Sequence, residues 1–204
     1  MENWAVFTGD IVKSSKMSRA ELDAVFAGLA DAAQAISDWQ DAPARLTRFR
    51  GDGWQMAVRP DLSFRAALAV RAAVRHAGKG FDTRIGIGIG AGAIPADDLS
   101  GADGPAFVRA GHALDTMKRT TRMFAPDAPL ALRVALLLAD QIAGGWTPRQ
   151  AEIGFLLLPP AGPTHAEVAE KLGLTRQTIQ IQAENAGFPA LFDVCDIVED
   201  QNSR

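Results

Sequence analysis

The sequence predicts an α+β chain in which a strand-rich core is followed by an all-helical module. Three observations carry this. Short apolar, strand-like runs and 3.6-period apolar stripes succeed one another over residues 1–126 in the order β-α-β-β-α-β. Residues 127–190 change character, with helix-start signals at Thr147, Thr164 and Thr175. The composition, 48% apolar and 22% charged over 204 residues, suffices for a full core plus a small appended unit.

Taken in order, Trp4-Ala5-Val6-Phe7 reads as a first strand ending at Thr8-Gly9-Asp10. Ser18-Arg19-Ala20-Glu21 is a capping box, in which serine and glutamate satisfy backbone donors at a helix start. Leu22, Val25, Phe26, Leu29, Ala33 and Ile36 follow at helical spacing to about residue 38. Residues 44–50 and 53–58 form a hairpin around Gly51-Asp52-Gly53, since glycine accepts positive φ and aspartate tolerates turn positions. Phe64 to His76 reads as a second helix stopped near Gly78, and TRIGIGIGAG, residues 83–92, as a strand. The whole is the ferredoxin-like βαββαβ unit, antiparallel, with its helices on one face.

Beyond it, Leu130 to Ile142 is a linking helix within residues 127–146. Thr147-Pro148 opens the next, with proline at the first helical position. Thr164-His165-Ala166-Glu167 is a second capping box, Gly173 turns the chain, and Thr175 caps a helix to about Asn185. Two short helices about a glycine turn make a helix-turn-helix over residues 147–190, with an acidic tail at 191–204.

Charge and cysteine content narrow the function classes. Residues 1–126 carry 16 Lys/Arg against 14 Asp/Glu, and residues 127–204 carry 5 against 10. Cys195 is the only cysteine, so no internal disulfide forms and a reducing, cytoplasmic setting is expected. No stretch approaches the length that spans a bilayer, and no membrane association is expected. Arg65, Arg71 and Arg75 read as the solvated face of the second helix. Gly86-Ile87-Gly88 with Ala91 imitates a dinucleotide fingerprint, but no helix opens there, so close backbone packing is the better explanation. Asp97, Asp98 and Asp103 read as a solvated turn, and the histidines 76, 112 and 165 lack zinc spacing.

Two carboxylates stand out as candidate cation ligands: Asp10 in FTGDIVKSS and Asp52 in RFRGDGW. In a ferredoxin-like unit the first strand's end and the hairpin tip lie close together, so the pair can face one cation. Mg²⁺ or Mn²⁺ with a phosphate ligand suits such a pair, because these ions take a few protein oxygens and keep several waters. Asp10 bonding its own turn and Asp52 standing in water is the alternative.

FTGDIVKSS, RFRGDGW, RIGIGIG and SGADGPAFVRAGHAL, with the segment from Trp146 to Phe188, resemble the SatD family across most of the chain. The first three motifs also resemble, more remotely, the catalytic domain of class III nucleotide cyclases. That resemblance implies metal binding by Asp10 and Asp52, and phosphate or nucleotide binding by Ile11, Lys13, Ser14, Ser15, Arg48 and Arg109. The cyclase helix that carries a catalytic asparagine and arginine aligns here with Val108 and His112, which match neither, so the resemblance implies ligand binding and leaves turnover as the alternative.

The terminal unit resembles the helix-turn-helix of LuxR-type regulators and of the promoter-reading sigma-factor segment. This implies Arg176, Gln177 and Gln180 as DNA-contacting side chains. Residues 147–190 hold three basic residues against four acidic ones, so DNA binding would require a homodimer, with packing the competing role.

Overall fold

The structure is a computed structural model that describes residues 2–49, 51–95 and 98–202. Arg50 of the hairpin and Asp97 of the ADDLSGADG turn lie outside the described residues. Among the described residues, one five-stranded sheet and eight α-helices make a mixed α+β fold. The strands are β1 (Glu2–Ile11), β2 (Arg45–Arg48), β3 (Gly53–Val58), β4 (Thr83–Gly92) and β5 (Met123–Phe124). They lie in the order β2-β3-β1-β4-β5, antiparallel throughout except for the parallel pair β4–β5. The sequence reading lacks β5, whose two residues are too few to show a period.

Helices α1 (Arg19–Gln40) and α2 (Ser63–His76) cover one face of the sheet. The expected capping box is present: Ser18 Oγ accepts from Glu21 N (3.2 Å) and Glu21 accepts from Ser18 N (2.7 Å). Ala5, Phe7, Ile85 and Ile87 point into this core with Leu29, Ile36 and Leu68. These two helices of the βαββαβ stretch share one face as expected, and the next helix, α3 (Pro105–Thr116), packs on the opposite face. It can do so because Gly86 and Gly88 turn bare backbone toward it. A Cβ on Gly88 would stand 2.2 Å from the Ala106 carbonyl oxygen and 2.4 Å from the Ala110 nitrogen. This close helix–strand approach is the role of the alternating glycines, and β4 continues through them with no helix start.

A second helical layer lies beyond α2: α4 (Leu130–Gly144), α5 (Pro148–Leu157), α6 (His165–Leu172), α7 (Arg176–Asn185) and α8 (Phe188–Asn202). Thr147, Thr164 and Thr175 each cap the helix that follows, and Gly173 takes the left-handed conformation (φ +64°) that turns α6 into α7. Residues 191–202 belong to the stretch expected as an acidic tail. They continue α8, which buries Leu191, Cys195 and Val198 in the common core.

Helix α2 is therefore sandwiched between two layers, and every residue from Ser63 to Val74 is buried. The solvated face expected for its arginines does not exist: Arg65 is 3% and Arg71 1% exposed. Buried guanidinium groups require partners. Arg65 meets Glu199 (2.5 Å) and Asp196 (2.8 Å) of α8 and the Leu158 carbonyl (2.8 Å). Arg71 meets Asp82 in a fork (3.0 and 3.1 Å) and also Asp140 of α4. These pairs were missed because periodicity reports one neighbouring layer, and here there are two.

A candidate anion-binding cleft

Sheet register assembles the site. Asp10, near the end of β1, stands opposite Gly53 on one side and Arg84 on the other. The first pairing brings the hairpin tip, and with it Asp52, beside Asp10. The second makes Asp10 and Arg84 direct cross-strand partners on one face, at the spacing where opposite charges meet. Arg84 grips Asp10 with two N–H groups, Nε at 2.8 Å from Oδ1 and Nη2 on Oδ2. That hydrogen bonding holds the Arg84 guanidinium above its ordinary range, against the opposing effect of burial.

The chain leaves β1 through a tight loop. Val12 N donates to the Asp82 carbonyl (2.9 Å), Lys13 takes left-handed geometry (φ 59°), and residues 14–16 form one 3-10 turn closed by Lys16 N on the Lys13 carbonyl (2.9 Å). A left-handed residue followed by right-handed ones turns successive N–H groups to one side, the concave arrangement that receives anions. Ser14 Oγ donates to Asp52 Oδ2 and ties the loop to the hairpin tip.

Asp10, Asp52 and residues 11–15 line one cleft of about 510 Å³, together with Arg84, Arg119 and Arg122. Four cations, Lys13 and the three arginines, face two carboxylates there, an excess of two positive charges. Arg119 and Arg122 were not singled out in the sequence. The basic run Lys118-Arg119-Thr120-Thr121-Arg122 was the available signal, and β5 explains its place. Ile85 N donates to the Arg122 carbonyl (2.7 Å), so parallel pairing sets Arg122 beside Arg84 at the same end of the sheet.

Two expected ligands lie elsewhere. Arg48 leans on α1, with its guanidinium 3.8 Å above the Phe26 ring and 3.7 Å from Asp23, and bonds the Gly51 carbonyl. Arg109, on α3, donates to the Ile89 carbonyl at 2.5 Å. Ile89 is five residues along β4 from Arg84, roughly 16 Å at strand rise. Val108 and His112 share α3 and are exposed, Val108 at 70%; neither lines the cleft.

Both carboxylates suit a hard cation as donors. Each Asp10 oxygen accepts one hydrogen bond from Arg84 and keeps a second lone pair, and Asp52 Oδ1 stands beside the oxygen taken by Ser14. Among the described residues no group of three or more His, Cys, Asp or Glu side chains could hold a metal ion. A cation here would thus rely on two protein carboxylates, with water and ligand oxygens completing its shell.

The residues of the last helices sit apart from this cleft. Arg176 borders a larger hollow of about 640 Å³ between α6, α7 and α8, with His165 and Asp196. Its buried cation, Arg65, is already neutralised by Asp196 and Glu199. Gln177 is exposed, and Gln180 donates to Glu184 one turn on (2.9 Å). Asp98 bonds Ser100 and Asp103 bonds the Gly104 amide, both turn roles. Among the described residues no helix is long and apolar enough to cross a membrane.

No family model matches this chain, and no curated protein matches it. Similar solved structures exist. The catalytic core of a rhodopsin-guanylyl cyclase with converted specificity, in complex with ATPαS, is 22% identical, with a TM-score of 0.43 over 57% of this chain and 73% of that one. A bacterial light-regulated adenylyl cyclase is 18% identical, with a TM-score of 0.42 over 59% of this chain and 42% of that one. The guanylyl cyclase Cya2 is 13% identical, with a TM-score of 0.42 over 60% of this chain and 73% of that one. Likenesses this distant carry no argument about activity.

Proposed function

We propose that this chain is a regulatory protein that binds a phosphate-bearing ligand, of the nucleotide class, in the cleft between the end of β1, the β2–β3 hairpin and the segment before β5. We read residues 1–126 as a ferredoxin-like, cyclase-like domain on the motifs FTGDIVKSS, RFRGDGW and RIGIGIG. The observation that carries the proposal is the convergence of Lys13, Arg84, Arg119 and Arg122 with the concave loop 11–15 in one cleft. Polyphosphate oxygens match such a site through charge-assisted hydrogen bonds. A Mg²⁺ or Mn²⁺ ion, held by Asp10 and Asp52, would supply neutralisation of the phosphate charge.

Thermal unfolding with and without each nucleoside triphosphate and Mg²⁺ tests this. A ligand at about 100 times its Kd stabilises by about 2.7 kcal/mol, which raises Tm by about 5–11 °C in a chain of this size. The metal-dependent part of the shift should vanish in Asp52→Asn. No shift with any of the four triphosphates would remove the proposal. A cyclic product formed with Mn²⁺ near about 1 s⁻¹ and lost in Asp52→Asn would replace it with a nucleotidyl cyclase.

For the helical layer we read α6 and α7 as a helix-turn-helix that contacts DNA through Arg176, Gln177 and Gln180, as part of a homodimer. Its support is the capped pair about left-handed Gly173, with Arg176 and Gln177 exposed at the start of α7. Binding to genomic fragments should fall with salt and be lost in the double variant Arg176→Ala, Gln180→Ala. A dimer that retards no fragment at low salt would leave packing as the module's role.

A further inference from the structure

Arg122 is the cleft's link to a buried charge cluster. Behind it lie Asp82 and Asp140, both nearly inaccessible, and two arginines of α2. Arg71 holds both carboxylates, and Arg75 Nη1 meets Asp82 at 3.0 Å. Asp140 Oδ2 accepts the Arg122 amide (3.0 Å), and Asp82 accepts the amides of Val12, through its carbonyl, and of Thr83. The same two aspartates thus anchor both the anion-facing loop and Arg122, the residue that precedes β5.

The cluster does not balance. Three guanidinium groups, Arg71, Arg75 and Arg122, share two carboxylates, leaving one uncompensated positive charge. Arg122 is the loosest member: its Nε stands 3.8 Å from Asp82, beyond hydrogen-bonding distance, while Nη1 bonds only the carbonyls of Arg119 and Thr121. Signs of crowding appear at Arg75. Burial, aided by the like charges of Arg71 and Arg122 and opposed by Asp82, pushes it below the ordinary guanidinium range, and its Nε is buried without an acceptor.

The cluster also fastens the helical layer. Arg71 bonds the Asp140 carbonyl (3.0 Å), and Arg75 bonds the carbonyls of Gly144 (3.1 Å) and Trp146 (2.5 Å) at the end of α4. Trp146 in turn donates to the Ala186 carbonyl (2.9 Å) and stacks on Phe188 of α8, with ring centroids 4.6 Å apart.

We infer that Arg122 is the cation through which the cleft's anion is coupled to the helical layer: the bound anion becomes its counter-charge, leaving Arg71 and Arg75 balanced by Asp82 and Asp140 at the seam between α2 and α4. This rests on the anion-binding reading above. Asp82 and Asp140 are positioning residues, and coupling runs both ways, so whatever loosens the seam also weakens the anion. Arg119 lines the same cleft but only through its carbonyl touches the cluster, which makes it the internal control.

Inorganic tripolyphosphate is the probe, with hydrogen exchange of the full chain read by mass spectrometry. In wild type, saturation should slow exchange in α4 and early α8 at least about threefold, well outside the cleft. Arg119→Gln should weaken binding yet keep the slowing once saturated. Arg122→Gln should weaken binding about tenfold or more, the scale of a charged hydrogen bond, and show no slowing at saturation. Arg122→Lys, which retains the charge, should restore part of it and serves if the glutamine variant does not fold. Slowing that persists in Arg122→Gln, or that is not recovered in Arg122→Lys, overturns the coupling, as does tight binding to wild type without slowing. If wild type does not bind tripolyphosphate at all, the anion site itself is wrong and this inference falls with it.

Discussion

Replacing Gly88 with alanine tests the reasoning that seats α3 on the sheet. The added Cβ would stand 2.2 Å from the Ala106 carbonyl oxygen, 2.4 Å from the Ala110 nitrogen and 2.8 Å from the Arg109 Cβ, where real Cβ atoms essentially never come below 3.0 Å. Two of these neighbours are helix main chain and cannot rotate aside. To restore ordinary contact, α3 must lift from β4 by about 1 Å. Overpacking of this kind costs about 1–3 kcal/mol, and the rigidity of both neighbours argues for the upper end. For a chain of this length about 3 kcal/mol corresponds to a Tm lowered by about 6–12 °C.

The control is Gly111→Ala on the same helix, where a Cβ meets nothing within 4 Å. Removing a helical glycine there should stabilise by about 0.5–1 kcal/mol. Urea unfolding of the two variants beside wild type is the assay, with midpoint and slope fitted together. A Gly88→Ala midpoint within error of wild type would refute the close-packing argument. So would equal effects of the two substitutions.

Other outcomes follow from buried charge and burial. Arg71→Met removes the guanidinium that holds Asp82 and Asp140; breaking a buried pair on one side costs about 3–5 kcal/mol, so the urea midpoint should drop sharply, and a change under about 1 kcal/mol would show the cluster to be hydrated rather than dry. Burial pushes the Cys195 thiol from 9.0 up to about 12, although Arg65 opposes it, so at pH 8 the native protein should resist alkylation that the urea-unfolded protein undergoes at once. The same shift gives a pH dependence: between pH 9 and 12 the unfolded chain has lost a proton that the native chain keeps, so this group alone lowers stability by about 1.4 kcal/mol per pH unit, and Cys195→Ala should remove that slope. Thr164→Ala deletes the hydroxyl that caps α6 and should cost about 1 kcal/mol, measured in the same urea assay.

Local chemistry wrote most of the elements into the sequence. Capping boxes at Ser18 and Thr164, the Thr147-Pro148 start, the Gly173 turn and the 83–92 strand depend on neighbours within four residues, so they are legible without a fold. The pairing of Asp10 with the hairpin tip was legible too, because βαββαβ connectivity sets β1 beside β3. What needed the tertiary structure is everything decided by a second partner. The arginines of α2 look like a solvated face until another helical layer closes over them, and α8 looks like an acidic tail until Leu191, Cys195 and Val198 find that layer. Arg122 gains its place only through parallel pairing of a two-residue strand with β4, a contact that joins residues 38 apart and leaves no period in the chain. Arg48 and Arg109 fall outside the cleft for the same reason in reverse: Phe26 and the Ile89 carbonyl offer nearer partners. Long-range charge pairing is set by which surfaces meet, and that information is spread over the whole packing rather than held in any one segment.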